Sequence, residues 1–104
     1  MNYNGKDINV ETKIRFGADK QFYKVKACNN RFAICTRPYN PKHTVYYTII
    51  DLAMLIRGTN NLIFNSYDYT DQKDIDLCLK ELMKGKVEIS HRNNVQLDIS
   101  EIKN

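Results

Sequence analysis

Tryptophan is absent from this 104-residue chain, and proline and histidine occur only twice each. Glycine occurs four times and never in a cluster, which excludes a Gly-rich loop of the kind that wraps phosphates. The three cysteines, Cys28, Cys35 and Cys78, form no C-x-x-C motif. Their odd number argues against a disulfide framework, and their spacing does not suit a zinc knuckle. Cys28 and Cys35 stand in apolar, β-like runs and are expected to act as small buried hydrophobes. No metal and no cofactor is expected. No apolar run is long enough to span a bilayer, and Met1–Asp7 lacks the apolar core of a signal peptide. The chain is therefore expected to stay in the cytoplasm, away from membranes. H-E-x-x-H and G-x-S-x-G are both missing, and no catalytic residue is assigned.

What is present is an ordinary globular composition, 42% hydrophobic and 27% charged, sized for a single domain over residues 1–104. The formal net charge of +4 is unevenly placed. Residues 1–50 hold nine Lys/Arg against three Asp/Glu, whereas residues 51–104 hold seven against nine. A basic first half favours anionic partners: a nucleotide, a nucleic acid or an acidic protein face; it is equally what a well-solvated surface looks like.

Residues 1–11 are polar and read as loosely held. Thr12–Phe16 alternates, with Ile14 and Phe16 on one side, as a half-buried strand does. After a turn at Gly17-Ala18-Asp19, the run Gln21–Ala27 alternates again, placing Tyr23, Val25 and Ala27 on one face. Asn29-Asn30 reads as a tight turn that uses the tolerance of Asn for positive φ. Arg31–Thr36 is the return strand, with Phe32, Ile34 and Thr36 on one face. Arg37–Lys42 reads as a loop fixed by Pro38 and Pro41. His43–Ile50 is strongly β in composition; the strand is expected to run to about Asp51 and give way to a helical turn ending at Gly58. Leu62–Phe64 is a short strand, followed by a polar loop over Asn65–Thr70. Ile75, Cys78, Leu79 and Leu82 then repeat at i, i+3, i+4 and i+7, predicting an amphipathic helix capped at Thr70 or Asp71 and stopped by Gly85. Lys86–Ser90 and Val95–Ile99 complete a last hairpin. The sum is an α+β fold: a mostly antiparallel sheet of five to seven strands with one amphipathic helix packed on it.

Three polar segments stand out: Arg37-Pro38-Tyr39-Asn40-Pro41, Arg57-Gly58-Thr59-Asn60-Asn61 leading to Phe64, and Ser90-His91-Arg92-Asn93-Asn94. Each joins a guanidinium, whose planar fork fits phosphate oxygens, to amides or hydroxyls that can pair with a base edge or ribose. An aromatic such as Phe64 or Tyr39 offers a base a stacking surface. Singly, each Arg is as well explained as a surface residue, Phe64 as core and the Asn pairs as turns. The recurrence in three loops is what points to a bound phosphorylated or nucleotide-like ligand. Tyr46 and Tyr47, adjacent in one strand, must face opposite sides, so one is expected at a surface or an interface.

The residues Arg31-Phe32-Ala33-Ile34-Cys35-Thr36-Arg37-Pro38-Tyr39, Tyr47-Thr48-Ile49-Ile50-Asp51-Leu52, Ile56-Arg57-Gly58, Asn61-Leu62-Ile63-Phe64, Ser90-x-Arg92-Asn93 and Leu97-Asp98-Ile99 resemble the phage Thoeris anti-defence sponges of the first-described type. The resemblance implies a phage protein that binds a cyclic ADP-ribose isomer, and in some members cyclic oligonucleotides, in the host cytoplasm. Such a protein leaves the signal uncleaved and works as a homodimer or higher homo-oligomer that grips ligand between protomers. No nucleic-acid polymer is expected as a partner. By this resemblance Phe64 and Arg92 would flank adenine, Asn93 would meet ribose and Arg37 phosphate, with Arg57 and Asn60 as further contacts. Two alternatives stay open: a phage inhibitor that binds a host defence protein directly, as anti-CRISPR proteins do, and a small phosphodiesterase using His43 and His91 as acid and base.

Overall fold

The computed structural model describes residues 1–39, 44–53, 61–67, 72–85, 94–96 and 99–104. Its strands are β1 (Asn2–Tyr3), β2 (Lys6–Asp7), β3 (Lys13–Phe16), β4 (Tyr23–Cys28), β5 (Phe32–Tyr39), β6 (Thr44–Asp51), β7 (Asn61–Tyr67), β8 (Asn94–Gln96) and β9 (Ile99–Lys103). Its helix α1 spans Gln72–Met83. β1 and β2 form a hairpin of their own. The other strands form one sheet in the order β8-β7-β6-β5-β4-β3-β9, and every neighbouring pair is antiparallel. The fold is α+β, as the hairpin-rich sequence predicts.

β8 and β9 lie at opposite ends of that order, yet only residues 97 and 98 separate them in sequence. Three peptide links reach at most about 11 Å, so the sheet must curl until its two edges approach each other. This corrects the reading of Val95–Ile99 as one strand. The segment splits, its first part pairing with β7 and its second with β3. Lys86–Ser90, the other half of that expected hairpin, lies outside the described residues.

The curl gives the sheet two unlike faces. Its inner face encloses Ile8, Ile14, Phe16, Tyr23, Val25, Ala33, Cys35 and Ile50. Its outer face is covered in part by α1, which buries Ile75 and Leu82 against Ala27, Phe32 and Ile34, with Cys78 and Leu79 alongside. The helix stripe is the one its 3.6-residue periodicity predicts, and Gly85 follows it at φ +69°, a left-handed stop suited to glycine.

β4 can serve both cores because its alternation breaks. Val25 pairs with Cys35 but Ala27 pairs with Ile34, so Lys26 is the extra residue of a β-bulge. The bulge turns Ala27 to the outer face, where strict alternation had placed it with Tyr23 and Val25. Cys28 is thereby turned inward against the first core.

Residues 1–11 are not loose. Asn4 and Gly5, at φ 52° and 82°, form the tight turn between β1 and β2, and Ile8 beyond it is fully buried. Thr12, also buried, accepts from the Asn9 backbone N–H and donates to Asn104 Oδ1, which closes this segment against the end of β9. At the next hairpin the turn lies where expected, but Asn29 and Asn30 have negative φ. The Asn29 side-chain oxygen instead accepts from the backbone N–H of both Arg31 and Phe32, at 2.8 Å each.

β5 runs through Pro38 instead of stopping before it. β4 pairs with β5 only as far as Thr36, so at Pro38 the strand has a neighbour on the β6 side alone and tolerates the missing N–H. β6 ends at Asp51, and Leu52 and Ala53 turn helical, with Asp51 Oδ1 accepting from the Ala53 N–H. Asp51 also holds Arg31 through two contacts of 3.2 Å. β7 runs on to Tyr67, correcting the loop expected from Asn65, because Asn65, Ser66 and Tyr67 register with Tyr47, Tyr46 and Val45.

The buried Ile8 yields a direct check on the N-terminal hairpin. Ile8→Ala should destabilise the protein by about 2–5 kcal/mol in urea denaturation, the range for a truncated core aliphatic. A loosely held segment would show almost no change.

Candidate functional site

Of the residues singled out from sequence, Arg37 and the backbone of Phe64 are described; Arg57, Asn60, Arg92 and Asn93 lie outside the described residues, as do His43 and His91. Arg37 is not on a loop. It sits within β5, past the point where β4 pairing ends.

Cross-strand register relates the two described positions. Val25, Cys35, Thr48 and Phe64 occupy one rung across β4, β5, β6 and β7, and the first three are fully buried on the inner face. Arg37, Tyr46 and Ser66 form the rung two residues further along, on the same face. Positions 37 and 64 therefore share the inner surface of the curl, with Cα atoms about 12 Å apart by standard strand spacing. Asn93 directly precedes Asn94, whose backbone registers with Ile63, the neighbour of Phe64. Asn60 directly precedes Asn61, the first residue of β7.

Arg37 ends a stack that begins in the core. Phe16 meets Tyr23 edge to face at 5.5 Å between centroids. The guanidinium of Arg37 lies 4.9 Å from the Tyr23 ring centroid, and its Nη1 bonds Asp19 Oδ2 at 2.6 Å. Ring, cation and carboxylate each hold the next, with the Arg37 side chain mostly shielded from water and Asp19 at the solvent edge. Asp19 is fixed in turn, because its Oδ1 accepts from the Gln21 backbone N–H and its carbonyl accepts from Arg15 Nη1.

Those bonds set the charge state of Asp19. The Gln21 N–H and Arg37 hold its carboxyl below the ordinary value of 3.8, against a smaller opposing effect of burial. A depressed folded-state pKa contributes stability that is present above the unfolded value and lost as pH falls through the folded one. Asp19→Asn should therefore be less stable than the parent at neutral pH, with the gap closing as pH drops below about 4 in pH-dependent urea titrations.

Sequence reasoning missed Asp19 and Tyr23 as partners of Arg37. Asp19 was visible only as a turn residue, and Tyr23 only as a core position; their meeting with Arg37 is set by the β4–β5 register. Among the described residues no cluster of His, Cys, Asp or Glu could hold a metal ion. Cys35 is fully buried, and burial, with the neighbouring Cys28 thiol adding to it, pushes its pKa far above the ordinary thiol value, so it is no nucleophile near neutral pH.

Thr48 presents a different feature of the inner face. It is fully buried, and its hydroxyl has no hydrogen-bond partner among the described residues. An orphaned buried hydroxyl costs about 1–3 kcal/mol. Thr48→Val keeps the branched shape without the hydroxyl and should raise the denaturation midpoint.

No protein-family model, no curated protein and no solved structure matches the chain.

Proposed function

We propose that this chain is a phage-encoded sponge that binds a cyclic nucleotide immune signal, of the cyclic ADP-ribose type, and holds it intact. The observation that supports the reading most is the shared inner face of positions 37 and 64, with Asn94 registered against β7 beside them. Two backbone positions about 12 Å apart on one face, one carrying an arginine and the other a phenylalanine, suit the two ends of a dinucleotide-sized anion. Arg37 is fixed before any ligand arrives by Tyr23 and Asp19, and a preset cation loses less entropy on binding. A phosphate reaching it would share the guanidinium with Asp19. The six residues proposed to contact ligand are Arg37, Arg57, Asn60, Phe64, Arg92 and Asn93, completed by a second copy of the chain. Capture needs slow release and no turnover, which fits a chain whose sequence carries no recognisable catalytic motif.

The test is capture followed by release. The protein is incubated with a cyclic ADP-ribose isomer, free ligand is filtered away, and the protein is heat-denatured. Intact signal should reappear on heating, and Phe64→Ala or Arg92→Ala should abolish its retention while leaving the circular dichroism spectrum unchanged. Loss of the signal even after heating would mean cleavage. Signal that never leaves the filtrate would mean that the target is something else.

A further inference from the structure

A second charged surface lies on the opposite side of the sheet from the Arg37 rung. Lys13 registers with Lys24 on one neighbouring strand and with Lys103 on the other, so three lysines occupy one rung across β9, β3 and β4. All three belong to the outer face: their neighbours Ile14, Tyr23, Val25 and Ile102 turn inward to the first core. Like charges directly opposite each other on a sheet are destabilising, and this rung holds three spaced at about 4.8 Å.

The neighbouring groups relieve the rung at its ends only. Glu11 reaches Lys24 at 3.2 Å and Lys26 at 4.0 Å, and Glu101 reaches Lys103 and Arg15 at 3.5 Å. Lys13, in the centre, makes no ion pair with any described residue. Glu11 itself sits at φ +77°, a strained conformation for a residue with a side chain. Beside the rung, Phe22 has Lys103 Nζ 4.7 Å and the Arg15 guanidinium 6.0 Å from its ring centroid. Those contacts hold cationic heads at the surface instead of leaving them free to disperse.

We infer that this rung is a docking surface for an extended acidic segment of a partner protein, laid across β9, β3 and β4. Charge complementarity selects an anion, and the flanking groups select its class. The cationic strip is one rung wide, with Glu11 and Glu101 beside it. A polypeptide brings carboxylates for the lysines and N–H or hydroxyl donors for the two glutamates. A DNA backbone has no donors to offer those carboxylates and would be repelled by them. Phe22 already carries two cations, so it is a poor platform for a base. The surface is distinct from the inner face of the proposed ligand site, and the inference stands whether or not that site binds a nucleotide.

The test uses fluorescence anisotropy with a labelled peptide of alternating glutamate and serine, and a labelled oligothymidylate of equal net charge. The peptide should bind the full chain at low ionic strength and weaken toward physiological salt, because the contacts are exposed. Lys13→Glu should weaken it at least about tenfold, while Lys80→Glu on α1 should leave it unchanged. The same Lys13→Glu protein should melt no lower than the parent, since it removes the like-charge contact; Lys13→Gln serves as the milder variant. Equal loss with Lys80→Glu, tighter binding of the oligothymidylate, or self-association that Lys13→Glu abolishes would each overturn the proposal.

Discussion

A single strand, β5, must be buried on both sides for this small sheet to hold together. Ala33 and Cys35 face the inner core, while Phe32 and Ile34 face the helix. α1 lies against β4 and β5, and β6 runs beside β5 in unbroken register from Phe32↔Asp51 to Tyr39↔Thr44. Two shallow cores share one backbone, which lets a chain of 104 residues bury enough apolar surface without thick layers. The bulge at Lys26 is the local device that makes this work. Without it, Ala27 would stay on the inner side and the helix would meet a lysine where it now meets a methyl group.

The same strand carries the burial outward to a polar end. From Cys35 to Arg37 the inner face changes within two residues from a dry thiol to an ion-paired guanidinium. That transition is stabilised from the side by Tyr23, which belongs to the core yet presents its ring to the cation. A side chain placed in this way inherits the rigidity of the sheet, which a loop arginine would lack. The inner and outer faces thereby differ: inside, an ion-paired guanidinium caps a buried core, while outside, on the part α1 leaves uncovered, a rung of lysines lies among Arg15, Phe22 and two glutamates.

Much of this architecture was legible in the sequence because it rests on periodicity. The stripe Ile75, Cys78, Leu79 and Leu82 and the alternation of Lys13–Phe16 are local signals, and both elements stand where those signals put them. The failures share a cause as well. Lys26 looks like any outward lysine until β5 sets the pairing, and Pro38 looks like a stop until β4 is seen to end first. The Asn4-Gly5 turn was a readable hairpin signal, overlooked amid polar neighbours. The split of residues 94–103 between two edges could not be read at all, since it depends on how far the sheet curls. For the candidate site, the residue types were visible, but the shared face of positions 37 and 64 emerges only from counting rungs across three strands.

The curl has a temporal side. β3 gains its second neighbour only from residues 99–103, so Lys13 waits for Lys103 across almost the whole chain. During synthesis the β4–β6 meander can assemble early from near neighbours, but one side of β3 stays bare until those residues have left the ribosome. The seam between β3 and β9 can therefore close only after residues 99–103 have emerged, and until then β3 presents an open edge to other chains.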